Sequence, residues 1–356
     1  MKTVWIILPV FKVGGVEKWA QMLFLALQSI YVVKVYVTGD IDPKARDIFP
    51  EIKIKKTTKS ALLIEALRSK PNYVISALTP ANLLVCIMFR PLKTKVITSI
   101  HLTLQSISAK SFIHQFYRVI AHYLIFLCSD KVIAVSEGVK RDFCNIVKAG
   151  SKKVEVIYNP CFEREKVEKM RNVWFENTKV KFVSVGRFDQ QKNFQDLVGN
   201  FVKALDDGRD YTLDIFGDGP EFDQVSSLIP SNYKNKIRLM GNQPGIASRL
   251  HSYDVFVLSS VYEGFGNVLA EALSAGLFCI SRNCPHGPAE ILKNGEFGLL
   301  IDTNDDLADY LIGFCEIYSD FIVQVDDEKH QLFKSHLENF TNENFSQRVK
   351  LLMRQV

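Results

Sequence analysis

The sequence lacks any sign of paired cysteines. Its seven cysteines stand at 86, 128, 144, 161, 279, 284 and 315, an odd number with no C-x-x-C, so neither a disulfide framework nor a zinc site is spelled out. A reducing cytoplasm is the expected home. Long apolar runs are scarce as well. A helix that crosses a bilayer needs about 20 apolar residues, and the longest candidates are 81–89 and 112–128, the latter broken by His114, Arg118 and His122. The opening, Met1-Lys2-Thr3 and then Val4 to Val10, imitates a signal peptide. Its apolar core is short and no small-residue cleavage site follows, so it reads as a first strand. The dinucleotide fingerprint G-x-G-x-x-G and the phosphate loop G-x-x-x-x-G-K-[ST] are both absent, which disfavours nicotinamide and P-loop chemistry. No repeat, low-complexity tract or recognised nucleic-acid-binding module is present, so no nucleic-acid partner is expected.

What is there is a chain of 356 residues, 47% hydrophobic, enough for two domains with separate cores. Charge is divided unevenly. Through Pro160 there are 23 Lys and Arg against 10 Asp and Glu, and beyond it 21 against 29, so a net +13 precedes a net −8. The basic half suggests an anionic partner: a membrane surface, a lipid phosphate or nucleic acid. Lys53, Lys55, Lys56 and Lys59 form a cluster that reads as a solvated edge or a lipid contact. Residues 111–127, apolar and aromatic with scattered cations, read as an amphipathic helix lying on a membrane or shaping a cleft, or equally as a helix packed in the core.

The most informative stretch is 259–290, SSVYEGFGNVLAEALSAGLFCISRNCPHGPAE. A buried strand, Val255 to Leu258, breaks into a glycine turn, Glu263-Gly264-Phe265-Gly266-Asn267. A helix from Val268 to Ala275 and a second strand from Phe278 to Ser281 follow. Such a unit belongs to a parallel sheet, and its loop lies where these sheets bind ligands. Gly264 and Gly266 bare the backbone, and the first helical turn presents free N–H groups to an anion. Glu263 and Glu271, eight residues apart, are both expected to face the ligand. A second strand–loop unit opens the later half: Val180 to Val185, then Gly186-Arg187-Phe188-Asp189-Gln190-Gln191-Lys192-Asn193. Arg187 offers forked hydrogen bonds and Lys192 a point charge, a pair suited to a diphosphate. Near the start, Gly14 and Gly15 separate the first strand from a helix beginning near Trp19, a loop that admits a phosphate closely.

The Glu-x7-Glu spacing around Gly-Phe-Gly closely resembles the signature of retaining glycosyltransferases of family 4. Further segments resemble that family in the same order: Gly14-Gly15-Val16-Glu17, the Val-Ile-Ala-Val-Ser strand at 132–136, Val185-Gly186-Arg187 with Gln191-Lys192-Asn193, Gly217-Asp218-Gly219-Pro220-Glu221, and Cys284-Pro285-His286-Gly287-Pro288-Ala289-Glu290-Ile291. The resemblance covers nearly the whole chain, specifically in the second half and diffusely in the first. It implies an α/β fold of two Rossmann-like doubly wound domains facing across a cleft, the GT-B arrangement. The expected divisions are 1–162 for the acceptor, 163–336 for the nucleotide-sugar donor, and 337–356 as a terminal helix crossing back to the first domain.

The resemblance also implies roles. Glu271 holds the donor ribose. Glu263 lies near the diphosphate and transferred sugar, with the amides of Gly264, Phe265, Gly266 and Asn267. Gly14 and Gly15 reach the diphosphate from the first domain. The segment with Asn242 borders the nucleobase, and Glu290 is structural. His101, at the end of a strand, either faces the donor sugar or is a core histidine. Asp40-Ile41-Asp42 matches the metal triplet of the other main glycosyltransferase fold, but Gly39 and Pro43 mark it as a turn. The expected reaction moves a hexose or N-acetylhexosamine from a nucleotide-sugar, UDP rather than GDP, to a hydroxyl of a lipid-linked or lipopolysaccharide saccharide, with retention. Arg187, Lys192 and the loop amides would meet the charge growing on the diphosphate, replacing a metal ion, so neither metal nor cofactor is expected. The expected location is the inner face of the cytoplasmic membrane, held peripherally by anionic lipid. The rivals are a glycoside hydrolase, a sugar-nucleotide epimerase of the same architecture, and a nucleotide-binding protein that turns nothing over.

Overall fold

A computed structural model describes residues 1–101, 112–166, 179–323 and 326–356. The chain forms two compact units, Met1–Pro160 with Phe340–Val356, and Cys161–Asn339.

Unit 1 is built on seven parallel strands: β1 (Thr3–Leu8), β2 (Val32–Val37), β3 (Ile54–Lys56), β4 (Tyr73–Ala77), β5 (Lys95–Ile100), β6 (Lys131–Ala134) and β7 (Val154–Val156). Their order is β3-β2-β1-β4-β5-β6-β7, so the winding reverses between β1 and β4. The central strands are covered on both faces, which is why they read as continuous apolar runs. Between the strands lie α1 (Gly15–Leu27), α2 (Pro43–Ile48), α3 (Lys59–Ser69), α4 (Thr79–Phe89), α5 (Phe112–Cys128) and α6 (Glu137–Val147). Asp42 caps α2, accepting the Lys44 N–H, so the Asp-x-Asp triplet is a helix entry. Helix α4 begins at Thr79, two residues before the apolar run at 81–89. Pro80 lies in its first turn, where a missing N–H costs nothing. Of the lysine cluster at 53–59, Lys55 and Lys56 lie in the edge strand β3, Lys53 just before it, and Lys59 opens α3.

Unit 2 repeats the plan with six parallel strands: β8 (Val180–Val185), β9 (Tyr211–Phe216), β10 (Ile237–Gly241), β11 (Val255–Leu258), β12 (Phe278–Arg282) and β13 (Leu299–Ile301), in the order β10-β9-β8-β11-β12-β13. Its winding reverses between β8 and β11. The helices are α7 (Phe194–Asp206), α8 (Phe222–Ser227), α9 (Asn267–Ser274), α10 (Pro288–Ile291), α11 (Leu307–Ile312), α12 (Phe314–Val323) and α13 (Asp327–Glu338). Phe182, Phe201, Tyr211, Phe278 and Phe314 form an aromatic core with ring centroids 5.0–6.5 Å apart. Most of the charged run at 163–177 lies outside the described residues.

The last helix, α14 (Asn342–Gln355), packs on α1 in unit 1. Its buried side chains Phe345, Val349, Leu352 and Met353 fall on one stripe and join the core of the first sheet.

Candidate active site

In a doubly wound sheet the loops after the two strands that flank the reversal diverge and leave a crevice at the carboxyl edge. In unit 2 those strands are β8 and β11, and their loops carry Lys192 and Glu263. The two side chains meet: Lys192 Nζ lies 2.6 Å from Glu263 Oε1, with the side chains only 15% and 7% exposed. Ser260 Oγ donates to the same oxygen at 2.7 Å. The loops are laced together by three further bonds. Ser259 Oγ donates to the Lys192 carbonyl (2.7 Å), Val261 N to the Gln191 carbonyl (2.9 Å) and Gln191 Nε2 to the Tyr262 carbonyl (3.0 Å). Neither charge could be buried alone at tolerable cost, so each requires the other.

Glycines set how closely the loops approach. A Cβ at Gly217, which adopts φ 135°, would lie 1.8 Å from the Gly186 carbonyl oxygen. One at Gly219 would lie 2.4 Å from that of Phe188. The stem of Lys192 rests against Gly186, where a Cβ would come within 3.0 Å of it. On the other side, the segment after β12 clamps the glutamate loop. Glu263 N donates to the Pro285 carbonyl (3.1 Å), and a Cβ at Gly287, φ 97°, would lie 1.7 Å from the Phe265 carbonyl oxygen. Burial pushes the nearby Cys284 thiol up to about 12, and the Glu263 carboxylate adds to the shift, so this cysteine is unreactive at neutral pH.

The glutamate turn leads into α9. Gly266 takes φ 97° at its N-cap, and Asn267 begins the helix. The Phe265 side chain is buried in the fold, at 2% exposure, so its ring is structural and only its backbone faces the turn. Glu271, the fifth residue of α9, is half-buried. Arg187 is not drawn into the cluster. Its side chain is 68% exposed, with Nε 3.9 Å from Asp189 Oδ2. Asn242 is exposed just past β10, where the Gly241 carbonyl accepts the Gly217 N–H at 2.9 Å. A cavity of about 390 Å³, lined by Asp189, Gln190, Gln191, Pro220, Glu221 and Tyr262, opens between the β8, β9 and β11 loops. A larger one of about 530 Å³ lies beside α7 and the turn after β13. Its Arg282 and Lys203 are already paired with Asp196 (3.0 Å) and Asp306 (2.8 Å), so it is the weaker candidate.

Unit 1 holds the remaining residues singled out in the sequence. Gly14, in extended backbone, and Gly15 open α1 after β1, one of the strands at that sheet's reversal. Glu17 is buried beneath this loop and accepts the Lys12 N–H at 2.9 Å. Burial raises its carboxyl above the ordinary range. His101, at the end of β5, is buried with Nε2 3.0 Å from Ser99 Oγ and its ring perpendicular to Trp19 of α1 at 5.3 Å. Burial lowers its pKa to about 4, so the imidazole is neutral at pH 7. Behind it Ser76 Oγ donates to Asn82 Oδ1 (2.7 Å), and Asn82 Nδ2 to the Ser99 carbonyl (2.8 Å). Sequence reading passed over this chain, and it quoted Ser259, Ser260 and Gln191 only within longer segments, giving them no contact to make. A serine or asparagine carries no pattern of its own until its neighbours are known.

Residues 13–161 match the description "Glycosyltransferase Family 4", and residues 166–319 match "Glycosyl transferases group 1". Together these spans take in most of the chain, which belongs to these glycosyltransferases. Among curated proteins it is similar to N-acetyl-alpha-D-glucosaminyl L-malate synthase of Bacillus anthracis, 28% identical over 183 residues, or 50% of this chain and 47% of that protein. It is also similar to lipopolysaccharide 1,6-galactosyltransferase of Escherichia coli K12, 27% identical over 229 residues, or 62% and 60%. The chain thus spans roughly half of these relatives' length. Among solved structures, Anabaena HepE in complex with UDP and glucose superposes with TM-score 0.79 over 100% of both chains at 15% identity. The fold is that of the GT-B glycosyltransferases.

Proposed function

We propose that this protein is a retaining glycosyltransferase that moves a hexose or N-acetylhexosamine from a UDP-sugar to a hydroxyl of a lipid-linked or lipopolysaccharide saccharide. The observation that carries the reading is the buried Lys192–Glu263 pair at the sheet reversal of unit 2, beside the amino end of α9. Breaking a glycosidic bond to a diphosphate leaves charge on the phosphate oxygens. A lysine held rigidly nearby stabilises that charge without reorganising, and such preset donors are worth about 10²–10³ in rate each. Glu263 fixes the ammonium in place and is assigned to the transferred sugar. Arg187, exposed and held only by a long 3.9 Å contact to Asp189, is suited to folding onto the phosphates as they arrive. Glu271 is assigned to the ribose, Asn242 and its neighbours to the base, and the amides of Gly264, Phe265, Gly266 and Asn267 to the diphosphate. Gly14, Gly15 and His101 are assigned supporting roles from unit 1. A neutral imidazole at His101 donates or accepts a hydrogen bond from a sugar hydroxyl without adding charge.

The UDP preference draws on the HepE complex and the saccharide acceptor on the Escherichia coli relative. The acceptor's lipid linkage, and a working position at the inner face of the cytoplasmic membrane, draw on the basic character of unit 1. Thermal unfolding in the presence of UDP- and GDP-sugars tests the donor, and transfer assays with lipid-diphosphate saccharides and lipopolysaccharide cores test the acceptor. The anomeric configuration of the product, read by NMR, tests retention. Stabilisation by a UDP-sugar with transfer and retained configuration is expected, and transfer that survives EDTA. Binding without any transfer would favour a nucleotide-binding protein, and isomerisation of donor alone an epimerase.

A further inference from the structure

Seven of the twenty large hydrophobic side chains exposed among the described residues lie on one helix, α5. Phe116, Tyr117, Ile120, Tyr123, Leu124 and Leu127 are 41–61% exposed and recur at the spacing of a single helical face. The opposite stripe, Ala121, His122 and Ile125, is buried, with α5 packed on α4 and α6. The outward face is thus at least as apolar as the inward one, the reverse of an ordinary surface helix. Ile87 of the adjoining α4, 70% exposed, extends the apolar surface.

We infer that this outer face of α5 seats the protein on an anionic phospholipid bilayer, with the helix lying in the plane of the interface. Charge decides between a bilayer and another occupant. Helix α5 contains no aspartate or glutamate, and α6 and the turn after it add exposed Arg141, Lys148 and Lys152. Unit 1 as a whole carries 26 basic against 11 acidic residues, a net +15. A second copy of the same surface would bring like charge against like charge, whereas an anionic leaflet complements it. Two tyrosines within the apolar face suit the headgroup boundary, where an aromatic body is buried and a hydroxyl stays wet. At 17 residues the helix is about 25 Å long, and no helix among the described residues is long and apolar enough to cross a membrane. Lying flat is the geometry left to it. The inference gives the proposed lipid-linked acceptor a physical setting and rests on that reading for its purpose, but its test does not pass through catalysis.

The experiment is co-sedimentation of the full chain with vesicles of phosphatidylcholine alone and with about 30% phosphatidylglycerol. The wild type is compared with the surface variants F116S/L124S and R141S/K148S, and folding is checked by thermal unfolding. The wild type is expected to sediment with the anionic vesicles and to be released by salt. F116S/L124S is expected to lower partitioning about tenfold or more, and R141S/K148S to lower it less and flatten the salt dependence. Equal sedimentation of the wild type and F116S/L124S, no sedimentation with anionic vesicles, or a concentration-dependent dimer that F116S/L124S dissolves would each overturn the inference. If UDP-sugar binding persists while vesicle binding fails, the docking surface falls and the transferase reading stands. If vesicle binding holds while every nucleotide-sugar fails to bind, the reverse follows.

Discussion

The two units share a plan and differ in what they leave uncovered. Unit 1 displays seventeen of the twenty exposed large hydrophobic side chains found among the described residues and carries a net +15. Unit 2 displays three and carries a net −10. Unit 2 instead draws cations inward: Lys192 is held by Glu263 at the sheet reversal, and Arg282 at the end of β12 by Asp196 of α7. A sheet that winds both ways supplies a crevice in either case. What fills and surrounds it is set by the loops and by the outer helix faces. One unit has spent its polar residues on a fixed constellation, and the other has spent apolar ones on a surface.

The sharpest way to break this contrast is to open the constellation from behind. Gly287→Ala puts a Cβ on the Phe265 carbonyl at a left-handed φ. A loss of roughly 3–5 kcal/mol is expected in chemical unfolding, together with loss of transfer. An alanine variant of normal stability would mean the glutamate loop is not clamped as described. Lys192→Met comes next. It strands a buried Glu263, for which a cost of about 3–5 kcal/mol is typical, and kcat is expected to fall about 10²–10³-fold. K192M/E263L, which removes both charges, should recover most of the stability and none of the turnover, and that divergence separates a functional pair from a structural one.

In unit 1 the probe is pH. His101 is held neutral, with a folded pKa near 4 against about 6.5 when unfolded. The unfolded chain therefore binds the extra proton between those values, and stability rises with pH through that window. It is complete above about pH 6.5 and falls away toward pH 4, by about 3 kcal/mol for this residue. His122 and His336, also lowered by burial, act with the same sign. His101→Gln should flatten the acid limb of a stability–pH curve, and an unchanged limb would count against a buried neutral imidazole. The smallest expected effect on stability belongs to Arg187→Ala. Its side chain is largely exposed, so a change within about 0.5 kcal/mol is expected. UDP-sugar affinity should nevertheless drop about tenfold in calorimetry, since a forked charged contact is lost.

The sequence disclosed most where spacing and composition coincide. The strands beginning at Val180, Val255 and Phe278 fall where the apolar pattern puts them. The Arg187–Asn193 and Glu263–Asn267 loops were legible because glycine next to charge after a buried strand has few other uses. The partners of those charges were not legible. The Pro285 carbonyl reaches the Glu263 N–H only because β12 lies beside β11, and Lys192 reaches its carboxylate only because β8 does, facts of sheet order rather than of local pattern. The sequence put the Phe265 amide in the donor loop but did not show that its ring is buried, since a turn residue's inward or outward sense is decided by what stacks beneath it. Helix α5 was ambiguous for a related reason. When both faces are apolar, periodicity cannot say which one meets the sheet.

The return of α14 to α1 bears on how the molecule is assembled. Synthesis proceeds from the amino end, so every element of unit 2 emerges before Phe345, Val349 and Leu352 are available to the first sheet. Until then the Trp19 side of α1 has no lid, and the earlier-made half waits, incompletely covered, for the later-made one to finish.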